Sequence, residues 1–236
     1  MPFLAIAALG LLSWGIVWGL AFVPEDYKQG NSFRIIYIHV PVAAVAMAGY
    51  MVMAFAGAIN LVWRMKLAEM VMKCAAPIGA AITFLALFTG AIWGKPTWGT
   101  WWVWDARITS VLVLFFLYLG VIALYEAFDN KQAAAKACAV LAIVGAVNIP
   151  IIYYSVEWWY SLHQPASISF TGQSSIESSM LKPLLATISG FYCLYGWLLL
   201  AHTRAEILDR ERKTRWVRDM VLNEQSGYGK KTEDKG

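Results

Sequence analysis

Charge is scarce in this chain: of 236 residues only 14% are Asp, Glu, Lys or Arg, while 59% are apolar and the mean hydropathy is +0.55. Soluble domains carry about 25% charged residues, so an ordinary soluble fold is excluded and the bilayer becomes the expected solvent. Cysteine is also sparse. Cys74, Cys138 and Cys193 all fall in or beside apolar stretches, and no Cys-x-x-Cys or Cys-x-x-Cys-His occurs, which excludes a thiol oxidoreductase and a covalent c-type cytochrome. No phosphate-binding glycine loop is present, so any ATP used alongside this chain must be hydrolysed by another subunit. The apolar stretches show no period-2 alternation, which removes a membrane β-barrel. No nucleic-acid partner is expected.

What remains is a set of six apolar stretches, running approximately Phe3–Val23, Ile35–Trp63, Met72–Trp93, Ile108–Phe128, Ala137–Val156 and Pro183–Thr203. A helix needs about 20 residues to cross about 30 Å of hydrocarbon, and lipid leaves no other way to satisfy the backbone of an isolated span. The expected fold class is therefore all-α: a polytopic membrane domain of six transmembrane helices over residues 1–203, followed by a charged tail over 204–236. No Lys or Arg precedes the first stretch, and Ala21-Phe22-Val23-Pro24-Glu25 is a poor cleavage site, so this stretch reads as an uncleaved span.

Basic residues favour the cytoplasmic side. Arg64, Lys66, Lys73, Lys131 and Lys136 share one face with nine Lys and Arg of the tail, while the other face has only Lys28, Arg34, Lys95, Arg107 and Lys182. Both termini are expected in the cytoplasm, with the tail deciding the matter because the short loops alone are tied. The tail reads as a charged helix fading into Ser226-Gly227-Tyr228-Gly229, either a solvated anchor or a dock for a cytoplasmic partner.

The outer loops carry the unusual residues. Five of the twelve tryptophans, Trp93, Trp98, Trp101, Trp102 and Trp104, fall within twelve residues, with Gly94, Pro96 and Gly99 among them and Asp105 and Arg107 directly after. An interfacial aromatic belt is one reading. The density of rings favours another, a rigid apolar platform with indole donors at its rim, suited to a flat hydrophobic ligand at the bilayer surface. His39 lies near the outer end of the second span and His163 in the loop after the fifth. Each alone could be a hydrogen-bonding residue; two on one face beside an aromatic platform fit an axial pair for iron. His202 sits at the opposite end, beside Thr203 and Arg204, and reads as an interface residue. Arg34 and Arg107 supply cations where ligand carboxylates would need them. For Arg34, a salt bridge to Glu25, Asp26 or Glu157 is an equal alternative; Arg107 could instead neutralise Asp105.

The run Trp98-Gly99-Thr100-Trp101-Trp102-Val103-Trp104-Asp105-Ala106-Arg107-Ile108-Thr109 resembles the tryptophan-rich WWD signature of haem-handling proteins in cytochrome c biogenesis. Together with six spans and one outer histidine on each side of the motif, the chain resembles the cytochrome c maturation protein C (CcmC) family from the His39 segment through the sixth span. Ile108 stands where leucine is commoner. The resemblance implies a haem b (iron protoporphyrin IX) site on the periplasmic side of a bacterial inner membrane. In it His39 and His163 would ligate iron and the loop with Trp98, Gly99, Trp101, Trp102, Trp104 and Asp105 would hold the porphyrin; Arg34 and Arg107, by their charge, would then lie near its propionates. It further implies delivery of haem to the chaperone CcmE, with a lyase-like attachment step, and association with CcmD and with the ABC transporter subunits CcmA and CcmB. A transmembrane haem transporter, or a haem synthetase component of another WWD family, is the rival expectation.

Overall fold

The computed structural model describes residues 2–159, 161–163 and 176–220. Within them lie helices α1 (Pro2–Ala21), α2 (Ile36–Trp63), α3 (Lys66–Trp98), α4 (Ala106–Ala127), α5 (Lys131–Gly145), α6 (Asn148–Trp158) and α7 (Ser178–Arg210), plus a 3-10 turn at Asn31–Ile35. No strand occurs among the described residues. Six helical segments are long and apolar enough to cross a membrane, α5 and α6 together making one of them. The chain is thus a multi-pass, all-α membrane protein, as its composition predicts.

Its ends and breaks follow from local chemistry. Asn130 caps α5 by accepting from the Gln132 and Ala133 N–H groups at 2.9 and 3.2 Å, and Asp105 caps α4, the residue types that satisfy orphan N–H groups best. The fifth span, which reads as continuous in sequence, is interrupted at Ala146–Val147. Pro150 has no N–H to give to the Ala146 carbonyl, and its ring crowds the preceding turn. The freed segment tightens instead, with Ile149 N–H reaching Ala146 O at 3.0 Å, and Asn148 ties the break to α4 by donating to Ser110 O at 2.8 Å.

The third span extends further than its apolar stretch suggests. Gly94 and Pro96 do not end it; α3 runs on through Trp98 and stops at Gly99, whose φ of 78° is the left-handed conformation glycine adopts without strain. Trp93 and Trp98 therefore stand on the last turns of a helix, and only Gly99 to Asp105 form the connecting loop. At the other end of the chain α7 continues past the expected domain boundary at residue 203 to Arg210. There Arg210 bridges Glu69 (2.8 Å) and Glu206 (2.7 Å), Lys73 reaches Glu206 (2.8 Å), and the Tyr125 hydroxyl donates to Glu69 at 3.1 Å. Part of the tail's charge is thus spent on fastening α7 to α3 and α4.

α2 packs on α3, α5 and α7, α4 packs on α3, α5 and α6, and α1 lies along α7. The main core is built around Tyr50, Met53, Met72, Leu114, Tyr118, Val121 and Cys138, with alanines at 75, 76, 135, 139 and 142 letting the helices close up. In lipid, association of spans depends on such close packing and on hydrogen bonds between them, since apolar burial alone gives no preference. Tyr118 supplies both: its ring lies over Gly79 of α3 and its hydroxyl donates to Ala46 O of α2 at 2.8 Å. A Cβ at position 79 would overlap the Tyr118 ring. Gly79→Ala is expected to lower stability by about 1–3 kcal/mol despite the better helix propensity of alanine, whereas Gly10→Ala, which has open space around it, should not. Thermal melts of the two variants in detergent check this; equal melting temperatures would remove Tyr118 as the lock between α2, α3 and α4.

Candidate functional site

Three segments meet at one end of the bundle: the one between α1 and α2, the loop from Gly99 to Asp105, and residues 161–163 after α6. The first is fastened to α3 by Gln29, whose side-chain oxygen accepts from Trp93 Nε1 at 2.8 Å. One turn into α2, the His39 ring meets Trp93 edge to face at 5.6 Å between centroids. His163 meets Trp98, five residues along the same helix, at 4.8 Å. The two histidines, 124 positions apart in sequence, therefore both rest on tryptophans of the last turns of α3.

Each imidazole is held through the same ring atom. His39 Nδ1 lies 3.0 Å from Thr89 Oγ1. The single Thr89 hydroxyl proton is directed to Leu85 O at 2.7 Å, with Ala86 O at 3.2 Å, so Thr89 accepts from His39 and the proton of that ring sits on Nδ1. His163 Nδ1 lies 3.2 Å from Asp105 Oδ2, and a carboxylate can only accept, which again places the proton on Nδ1. In both rings Nε2 keeps its lone pair, the form that binds a metal.

Asp105 is the hub. Oδ1 accepts from the Ile108 N–H at 2.8 Å, capping α4, while Oδ2 accepts from Ser161 Oγ at 2.6 Å and from His163. Burial would push this carboxyl up, but the bonds from Ser161, Ile108 and His163 outweigh it and hold it below its ordinary value. Burial pushes the His163 imidazole down; its bond to Asp105 opposes this and Arg107 adds to it, and the net shift is downward.

The arginines part company. Arg107 donates to Ser155 Oγ and to Tyr153 O, both at 3.1 Å, joining α4 to α6, with no ion pair among the described residues. Arg34 donates from Nε to Asn31 Oδ1, from Nη1 to Gly19 O and from Nη2 to Val23 O, each at 2.8 Å. It pairs with none of Glu25, Asp26 or Glu157, and instead satisfies carbonyls at the end of α1.

The tryptophans divide similarly. Trp101 and Trp104 are largely exposed, the latter at 74%, and Trp104 meets Trp102 edge to face at 5.4 Å. Trp102 Nε1 is buried without a hydrogen-bond partner among the described residues, a donor that a ligand could satisfy. A second aromatic run, Tyr153, Tyr154, Trp158 and Trp159, continues along α6 with successive centroids 4.9, 5.2 and 5.7 Å apart.

A sequence profile described as Heme exporter protein C matches residues 1–218. The chain belongs to the CcmC family. The Heme exporter protein C of Haemophilus influenzae is 55% identical over 220 residues, 93% of this chain and 89% of the relative. That of Escherichia coli K12 is 52% identical over 222 residues, 94% and 89% of the two chains. A ccmC-like mitochondrial protein of cytochrome c biosynthesis from Marchantia polymorpha is 43% identical over 198 residues, 84% of each chain.

The sequence pattern singles out the tryptophans and histidines but not the residues bonded to or packed against them. Thr89, Gly90, Ser155, Ser161 and Gln29 carry no motif signal. Gly90 matters for space: a Cβ there would sit 3.0 Å from His39 Cε1, so its absence lets the imidazole lie against α3. The capping role of Asp105 went unread, although its place just before an apolar helical run is a signal for it; its grip on His163 has no such signal. Replacing Arg34 with Ala is expected to cost roughly 1–3 kcal/mol by orphaning the carbonyls of Gly19 and Val23, with faster amide exchange in the last turn of α1. Unchanged melting and exchange would show that water replaces the guanidinium without loss.

Proposed function

We propose that this chain handles haem for cytochrome c biogenesis, holding haem b between His39 and His163 and delivering it to CcmE. The observation that carries the reading is the matched pair of imidazoles at the tryptophan end of the bundle, each bonded through Nδ1 and each with Nε2 unspent. The porphyrin lies against Trp98, Trp101, Trp102 and Trp104, with Gly99 turning the chain away from it. Trp102 Nε1 and Arg107 are the donors for its polar edge; the family descriptions of the relatives support haem as the cargo. Arg107, already oriented by Ser155 and Tyr153, holds a propionate as a charge-assisted pair. Arg34 secures the end of α1 rather than the cargo.

The site faces the periplasm. Fourteen of the nineteen basic residues gather at the opposite end or in the tail, a bias that supports cytoplasmic termini in a bacterial inner membrane. CcmD, CcmA and CcmB are the partner subunits, and ATP hydrolysis belongs to the transporter. Ligation on both faces of the iron leaves a porphyrin edge open, so CcmE attaches to haem that this chain already orients. Fixing both reactants in this way can supply about 7–11 kcal/mol of a barrier.

Single replacement of His39 or His163 by Ala is expected to abolish the six-coordinate low-spin spectrum of the purified haem-loaded protein and to stop transfer to CcmE in a reconstituted assay. Normal spectra in both variants would overturn the ligand assignment. Arg107→Gln is expected to weaken haem binding roughly tenfold, about 1.4 kcal/mol, while leaving binding of haem dimethyl ester unchanged because that ligand has no free carboxylate. Equal losses for both ligands would assign Arg107 to holding α4 against α6 alone.

A further inference from the structure

We propose that the two imidazoles are unequal ligands, with Asp105 making His163 the strong, retained donor and Thr89 leaving His39 the weak donor that is displaced first. This rests on the axial-ligand reading above and adds an order of events to it.

The inequality lies in what each Nδ1–H meets. His163 faces a carboxylate at 3.2 Å. A negative acceptor draws the Nδ1 proton towards itself and enriches the lone pair on Nε2, the arrangement that raises ligand basicity in carboxylate–histidine–metal triads. Asp105 is unable to swing away, because Oδ1 is bonded to the Ile108 N–H at 2.8 Å and Oδ2 to Ser161 at 2.6 Å. His39 faces a neutral hydroxyl that has already committed its own proton to the α3 backbone. That hydroxyl orients the ring and adds little charge to it. Thr89 and Asp105 are therefore positioning residues of different strength.

Handover follows as a ligand exchange. The iron bond to His39 breaks with its electron pair returning to Nε2, and an incoming nitrogen donor gives its lone pair to the vacated iron face. The Nδ1 proton stays on His39, no proton moves, and the iron oxidation state does not change. His163 keeps the haem on the Trp98 side throughout.

The test uses the full chain, purified with haem, reduced and exposed to carbon monoxide, with the iron–histidine stretch of the remaining imidazole read by resonance Raman spectroscopy after photolysis. The wild type is expected to give one adduct with the high stretching frequency of a carboxylate-bonded imidazole. Asp105→Asn, which retains an N-cap side chain, should lower that frequency. Should that variant fail to hold haem, Ser161→Ala tests the same point: the carboxylate, still fixed by the Ile108 N–H, loses a competing donor on Oδ2, accepts more strongly from His163, and the frequency should rise. Thr89→Val should leave the frequency unchanged but reduce severalfold the carbon monoxide needed for displacement, and Thr89→Ser should restore the wild-type value.

A frequency that ignores both Asp105→Asn and Ser161→Ala, or one that shifts in Thr89→Val, would overturn the ranking. If His39→Ala and His163→Ala both keep the wild-type low-spin spectrum, the ligand reading falls and the ranking with it. If both lose that spectrum while the Asp105 and Ser161 variants leave the stretch unmoved, only the ranking falls.

Discussion

The carboxylate of Asp105 joins two tasks that are usually separate. As an N-cap it begins α4, accepting from the third N–H of the helix. As a buried anion it gathers Ser161 and His163 from a segment more than 50 residues away. The geometry of a helix end therefore determines where an imidazole from another part of the chain stands. Burial of such a group would be costly if it were unpaired; the three donors converging on it are what let it sit beneath the tryptophan loop. Remove the charge and the fourth span keeps its hydrophobic reasons to exist, but the loop after α6 loses its anchor.

The opposite end of the bundle obeys the same rule with different residues. Glu69, only 8% exposed, is answered by Arg210 and by the Tyr125 hydroxyl, and Glu206 is answered by Lys73 and Arg210. Between these two polar ends the contacts are of small residues and rings, as with Tyr118 over Gly79. Polar anchors at both ends and close apolar packing between them allow a mostly uncharged bundle to have one arrangement, since lipid itself would tolerate several.

The span count and helical class were legible because about 20 uninterrupted apolar residues have one structural outcome in hydrocarbon. The pairing of the tryptophan motif with two flanking histidines was legible because those residue types are costly and clustered. Three features were not. Glycine and proline at 94 and 96 resemble a loop, yet α3 continues to Trp98 and the left-handed stop comes only at Gly99. Pro150 sits within an apolar run and splits a span that composition alone reads as whole. The bonds of Arg34 to carbonyls at the end of α1 were hidden as well, because the distance between a side chain and an orphan carbonyl fifteen residues earlier is invisible before the chain folds.

The way His163 is held also bears on how the protein is born. His39 enters the membrane with α2, early in synthesis, and Thr89 and Trp93 follow with α3. Asp105 then starts α4, but its partners Ser161 and His163 emerge only after α5 and α6 have been made, and a growing chain folds from its N-terminal end. A half-inserted nascent chain therefore has the His39 imidazole and a row of indoles but not yet the contact between His163 and Asp105. That contact forms late, when Ser161 and His163 dock on a helix cap laid down long before them.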